Sequence, residues 1–248
     1  MGRLNSFYLA PALWREPFLL EGEELHHLGR VLRAKVGDTL RLFDGQGRWG
    51  IFSIKEMSKK SACLERVSEQ TEPAPSKPLI LAAGWSKALR RGILLEKAVE
   101  LGAAEVWFWQ AARSQGEVPE QGKEGWERQL IAAAKQCGAC WLPRIRTFGG
   151  PGELIRAADS QGSKVLCWEQ EEHGFVDPAL LADPRGSIAV LGPEGGLEVK
   201  EAALFREHGF IPVGLGPRIL RFETAAVLVL SLHLWASHNP QNSQGVQK

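Results

Sequence analysis

From Leu79 onward the chain alternates between two hydrophobic rhythms. Short apolar runs, LILAAG (79–84), AEVWFWQ (104–110), KVLCWEQ (164–170), SIAVLG (187–192) and FIPVGLG (210–216), have the length and composition of buried strands. Between them lie segments with helical spacing. In ALRRGILLEKAVELG (88–102), Leu89, Ile93, Leu94, Ala98 and Leu101 recur on one face and Gly102 marks the stop. WERQLIAAAKQCG (126–138), GELIRAADSQG (152–162) and LEVKEAALFREH (197–208) also read as helices, and a last one begins near Glu223 and runs to about Ser237. Strands alternating with helices imply an α/β domain, its sheet mostly parallel and covered by helices on both faces.

The first 70 residues have a different rhythm. SFYL, PFLL, DTLRLFDG, RWGIFSIKE and SACLERV are short strand candidates, DGQG (44–47) is a hairpin turn signal, and GEELHHLGRVLR (22–33) is one helix-like interruption. This pattern predicts a small β-barrel-like module over 1–70. EQTEPAPSKP (69–78) is rich in proline and poor in apolar residues, which places a linker over 71–78. The second domain then spans 79–238, and the polar 239–248 reads as a flexible tail.

Composition excludes several classes. The net charge is +1, so nucleic-acid binding has to rest on local basic patches. Four scattered cysteines give no disulfide framework, and MGRLNSFYLA lacks the apolar core of a signal peptide. The longest apolar run, Ala225 to Ala236, contains His233 and falls short of the about 20 residues that a membrane span needs. These features point to a cytoplasmic protein with no membrane segment. Cys137-x-x-Cys140 has no second pair at zinc-finger spacing, and the six histidines form no metal motif, so no metal is expected.

Two glycine-rich turns follow strand candidates, LGPEGG (191–196) and VGLGPRIL (213–220). In open α/β sheets, ligands gather at the carboxyl ends of strands. Glycine permits positive φ and lets a ligand approach the backbone. The first turn lacks the Gly-Lys-Ser/Thr ending of a phosphate loop and the GxGxxG fingerprint, which also disfavours a dinucleotide oxidoreductase. Glu194, Glu198 and Glu201 crowd the start of its helix and compete with any phosphate for the positive end. What stays open is a plain strand-to-helix turn or a site for an adenine-bearing neutral or zwitterionic ligand. In the second turn Arg218 and Arg221 are three apart and can share a helical face, and Thr224 can cap the helix that follows.

Together, LGPEGGLEVKE and LGPRILRFETAA resemble the two hallmark segments of the bacterial 16S ribosomal RNA uridine-N3 methyltransferases, a branch of the SPOUT superfamily. HHLGRVLRAKVGDTLRLFDGQG (26–47) is similar to that family's PUA-like RNA-binding start, and EKAVELGAAEV (96–106) to its first helix and next strand. The resemblance runs from about Phe7 to Ser237. It implies a SPOUT-type parallel sheet with a C-terminal trefoil knot beside a PUA-like β-barrel, a homodimer, S-adenosylmethionine as methyl donor and a uridine of small-subunit rRNA or the 30S subunit as target. Carried over by motif, Leu191, Gly192, Glu194, Gly195, Gly196, Leu215, Gly216, Ile219, Leu220 and Thr224 would hold the cofactor. Arg221 would stabilise the uridine anion and Glu223 is the candidate base. Basic residues in three groups, His26, Arg30 and Arg33, then Lys87, Arg90 and Arg91, then Arg113, would meet RNA. His27, beside the first group, can equally be a packed core histidine.

The chain departs from the family pattern in two places. The family commonly has proline in the strand that here reads EVWFWQ, although the Arg113-Ser114 pair after it is kept, and often has arginine where CGACWLP places Ala139 or Cys140. These departures fall on the expected RNA face, and the Trp-rich strand motivates an alternative, a non-catalytic RNA-binding or ribosome-assembly factor with the same fold.

Overall fold

The computed structural model describes residues 4–87, 91–122, 124–169 and 175–239. The chain forms two compact units. One comprises the N-terminal part up to Ala74 together with Ile131–Leu142; the other comprises Pro75–Leu130 and the chain from Pro143 on.

In the first unit, β1 (Ser6–Tyr8), β2 (Phe18–Leu20), β3 (Thr39–Phe43), β4 (Arg48–Met57) and β5 (Ala62–Thr71) form a five-stranded sheet in the order β1-β3-β4-β5-β2. Only β1 and β3 pair in parallel. The barrel-like module expected is, among the described residues, a five-stranded sheet whose edge strands β1 and β2 are not hydrogen-bonded to each other. β5 carries on to Thr71 and takes in the first residues of the proline-rich stretch; Glu72–Pro78 is without helix or strand.

One face of this sheet is apolar by alternation. Leu40, Leu42, Phe52, Ile54, Ala62 and Leu64 are all buried, and with Phe7, Phe18 and Leu28 they make the core. Phe52 meets Trp14 and Phe18 edge-on, with ring centroids 5.8 and 5.0 Å away. The expected single helix at 22–33 is instead α1 (Gly22–His26) followed by a π-helical turn, His27–Val31, and Arg33 adopts the left-handed φ of 53°. The wider turn drops Leu28 into the core. Asp44 organises the β3–β4 turn: its carboxylate accepts from the backbone N–H of Gln46 at 2.7 Å and of Arg48 at 3.0 Å.

The second unit holds β6 (Leu79–Gly84), α2 (Arg91–Glu100), β7 (Glu105–Trp109), α3 (Glu124–Cys137, its C-terminal half within the first unit), β8 (Arg144–Phe148), α4 (Pro151–Ala157), β9 (Ser163–Cys167), β10 (Ser187–Leu191), α5 (Val199–Glu207), β11 (Ile211–Val213) and α6 (Phe222–His238). Its six strands are parallel in the order β11-β9-β10-β6-β7-β8. β6 and β10, in the middle, are buried along their whole length, as the unbroken apolar runs require. Ile80, Ala82, Trp107, Trp109, Ile188 and Val190 pack against Leu154 and Ile155 of α4 and Ala202 and Phe205 of α5. The alternate residues Leu79, Leu81 and Ala83 are buried on the other face, where α6 packs against β6, β10 and α2. β8 was not expected from the sequence: RIRTF is an edge strand whose arginines mask a period-2 pattern, and Arg146 lies over the rings of Trp107 and Phe148 at 4.9 Å.

Candidate functional site

The first turn runs from the end of β10 to α5. The N–H of Gly196 donates to the carbonyl of Pro193 at 2.8 Å, closing a four-residue turn. Gly196 has φ 71°, and a side chain there would run into the carboxylate of Glu169. Gly84, at the end of the neighbouring β6, lets the Gly192–Pro193 backbone lie directly against the sheet. Arg113 braces the turn from outside, its Nη1 donating to the Gly195 carbonyl at 3.1 Å.

The acidic residues after this turn have a definite task. Glu198 is the N-cap of α5 and forms a reciprocal capping box with Glu201, whose Oε2 accepts from the Glu198 N–H at 3.0 Å. The other oxygen of Glu201 accepts from the Ala112 N–H at 2.8 Å, and the residue is buried. Lys200, bonded to Glu198 at 2.9 Å, holds that carboxyl below the usual carboxylate range, with a further contribution from Arg113. The helix start is thus satisfied from within the chain and offers no anion cradle. Glu194 stands apart from it, exposed on the turn.

The second turn runs from β11 to α6. Gly214 is tied to the segment after β9, its carbonyl accepting from Val176 N–H at 3.0 Å. Gly216 has φ 128°, a conformation that side chains rarely adopt. Arg218 lies in a non-helical bend, so it shares no helical face with Arg221. Arg221 itself is the N-cap residue of α6, with φ −62° and ψ 152°, and no side chain caps that helix. Thr224 is therefore not the cap; it is an exposed residue inside the first turn.

Between the two turns lies a cavity of about 720 Å³. Leu191, Gly192, Glu194, Gly195, Gly196, Leu215, Gly216, Ile219, Leu220, Arg221 and Glu223 all line it, whereas Thr224 does not. Cys167, Trp168 and Glu169 line it as well and were not expected. They extend from the end of β9, and β9 lies between β10 and β11 in the sheet. Burial pushes the Cys167 thiol up to about 12, so it stays protonated at neutral pH. The indole Nε1 of Trp109, a core residue, donates to the carbonyl of Leu191 at 3.3 Å.

The expected RNA-contacting residues separate into exposed and engaged groups. His26, Arg30, Arg33 and Lys87 are exposed. Arg91 is engaged: its Nη1 donates to the Ser86 carbonyl at 3.2 Å and its guanidinium lies 4.8 Å over the Trp85 ring. Arg113 serves the glycine turn, and Arg90 lies outside the described residues. His27 is exposed, with its ring 5.8 Å from that of Phe7, so it is no core histidine. Trp107 and Trp109 are core residues rather than part of an RNA face.

Cys137 is exposed and Cys140 buried, both as free thiols. The carbonyl of Cys140 accepts from Gly47 N–H at 3.0 Å, so its segment supports the β3–β4 turn. Among the described residues no group of three or more His, Cys, Asp and Glu side chains is placed to hold a metal ion. No helix among them is long and apolar enough to cross a membrane.

Comparison with known proteins gives a consistent result. Residues 72–234 match the RNA methyltransferase domain family, and residues 20–65 match the RNA methyltransferase PUA domain. The ribosomal RNA small subunit methyltransferase E of Bacillus subtilis is 31% identical over 227 residues, covering 86% of this chain and 88% of that protein. A putative methyltransferase from Legionella pneumophila, solved in complex with the cofactor SAM, superposes with a TM-score of 0.81 at 29% identity, over 95% of this chain and 98% of that one. The methyltransferase E of Neisseria gonorrhoeae, bound to S-adenosyl methionine, gives 0.76 at 26% identity, over 92% and 96% of the two chains. With the matched domain spanning well over half its length, the chain belongs to the RNA methyltransferase family that includes the ribosomal RNA small subunit methyltransferase E proteins.

Proposed function

We propose that the chain transfers a methyl group from S-adenosylmethionine to N3 of a uridine in small-subunit rRNA, free or within the 30S subunit. The observation that carries this reading is the single cavity framed by both glycine turns at the carboxyl ends of parallel strands. Its volume of about 720 Å³ falls within the range of small-molecule sites. Its chemistry suits the cofactor: Leu191, Leu215 and Leu220 offer apolar walls, the glycines expose backbone donors and acceptors, and the capped α5 leaves no place for a phosphate. Leu191, Gly192, Glu194, Gly195, Gly196, Leu215, Gly216, Ile219 and Leu220 are the proposed cofactor-binding residues; Thr224, which does not line the cavity, is left out.

When bound, the cofactor supplies an electrophilic methyl group. The chain must then handle charge and a proton at the acceptor. Uridine N3 is a weakly acidic imide, so negative charge builds on the pyrimidine as its proton leaves. Arg221 is exposed at the cavity edge and sits at the N-terminus of α6, where its charge and the helix dipole act together on that anion. Glu223, half-buried and lining the same cavity, is the proposed proton acceptor. Excluding water and aligning donor with acceptor contribute further to the rate.

The N-terminal 1–70 are assigned to RNA binding and 79–238 to methyl transfer, with 71–78 between them. His26, Arg30, Arg33 and Lys87 are the basic residues whose exposure supports an RNA-facing role. We assign the trefoil knot to the C-terminal part of the second unit, and a cytoplasmic homodimer as the working form. Exposed Phe175, Ile219 and Trp235 are apolar surface that a second copy would cover. The burial of Trp107 and Trp109 removes the ground for a non-catalytic reading based on an altered RNA face. The test is incubation with methyl-labelled donor and under-modified small subunits, followed by mapping of the product. Absence of label at uridine N3 in every ribosomal substrate would overturn the proposal.

A further inference from the structure

The cavity contains a carboxylate that none of the motifs described above accounts for. Glu169 follows β9 by two residues, lines the cavity beside the first turn, and has no hydrogen-bond or ion-pair partner among the described residues. Gly196 is shaped around it: a Cβ at that position would meet Glu169 Oε1 before any other atom. A glycine with φ 71° therefore keeps the turn open on the side where this carboxylate stands. β9 is hydrogen-bonded to both β10 and β11, so its carboxyl end projects between the two turns.

We propose that Glu169 accepts hydrogen bonds from the ribose hydroxyls of the bound cofactor. The inference rests on the cofactor reading above and assigns one further residue within it. An ionised carboxylate is acceptor-only, with two oxygens that match a vicinal diol. A carboxylate at the end of a parallel strand, beside a glycine turn, is where nucleotide-binding α/β sheets hold a ribose. Glu169 is exposed at the cavity rim, where Coulomb attraction to a sulfonium or ammonium is screened by water. A pair of direct hydrogen bonds keeps its directional preference there.

The experiment is calorimetric binding of S-adenosylhomocysteine, whose sulfur is neutral, and of its 2′-deoxyribose analogue. Both are titrated into the full-length chain and its Glu169→Ala and Glu169→Gln variants. The native chain should bind the ribose form roughly tenfold or more tightly than the deoxy form. Glu169→Ala should lose most of that preference, and Glu169→Gln should keep part of it, since its amide oxygen still accepts. Thermal unfolding of the ligand-free variants should match the native chain. Equal binding of S-adenosylhomocysteine by native and Glu169→Ala protein overturns the assignment and leaves the cofactor reading intact. So does a preference for the ribose form over the deoxy form that survives unchanged in Glu169→Ala. If the native chain binds neither ligand, the cofactor reading itself falls and this assignment with it.

Discussion

The buried carboxylate of Glu201 accepts a hydrogen bond from the backbone N–H of Ala112 at 2.8 Å, joining the start of α5 to the loop after β7. Its second oxygen closes the capping box with Glu198, so one side chain satisfies two backbone donors 86 residues apart in sequence. Arg113, next to Ala112, donates to Gly195. The end of the first glycine turn and the helix start that follows it are thereby both held by the loop that carries the Arg113-Ser114 pair.

Replacing Glu201 by Ala removes both bonds and leaves the Ala112 N–H unpaired. A cost of about 2–4 kcal/mol follows from the lost cap and the orphaned donor. For a chain of this size that is a fall in Tm of roughly 5–15 °C. Scanning calorimetry checks it; a fall of under 2 °C would show that water replaces the carboxylate at negligible cost.

Gly196→Val should lose cofactor binding while the protein still folds. The β-branched side chain is strained at φ 71° and collides with Glu169 at the cavity wall. Titration with S-adenosylhomocysteine is the measurement. Unaltered affinity in Gly196→Val would mean that the ligand lies elsewhere.

Arg221→Ala should lower kcat by roughly a hundredfold or more, the scale of removing one preorganised charge stabiliser. Its side chain is exposed and caps nothing, so the unfolding midpoint should stay within about 0.5 kcal/mol of native. Steady-state kinetics and urea unfolding separate the two effects. A variant that is inactive only because it unfolds would contradict the assignment.

His233 of α6 sets an acid limit on stability. Burial lowers its pKa below the ordinary value near 6.5, and its Nδ1 lies 2.7 Å from the Leu181 carbonyl. In the window below about 6.5 the unfolded chain binds a proton that the folded chain resists, so stability rises with pH there. The stability from keeping this histidine neutral is fully present above the unfolded pKa and is lost as pH falls through that window. Urea midpoints measured from pH 7 down to pH 5 should decline more steeply for the native chain than for His233→Gln. Parallel declines would assign the acid sensitivity to other groups.

Much of this architecture was legible in the sequence because it rests on local rules. Periods of 2 and 3.6 separated strands from helices, and the unbroken apolar runs of β6 and β10 declared a parallel sheet with both faces covered. The turns at Gly196 and Gly216 were legible because few other residues tolerate positive φ. The local reading failed where another interaction competed. Arg144 and Arg146 hid β8, since an edge strand can place charged side chains over neighbouring rings. The helix expected over 22–33 gave way to a short α-helix and a π-turn in which Leu28 is buried.

The candidate site divides along the same line. The sequence by itself determined the two glycine turns and the acidic start of α5, since each follows from the conformational limits of a few consecutive residues, whereas it placed the cap of α6 at Thr224 instead of Arg221. Only the tertiary structure decided that these turns enclose one cavity, that Thr224 does not line it, and that Cys167, Trp168 and Glu169 complete its wall. That outcome depends on β9 lying between β10 and β11. Strand order is a property of long-range pairing, in which segments tens of residues apart compete for the same hydrogen-bonding edge, and no local pattern of side chains encodes which of them prevails.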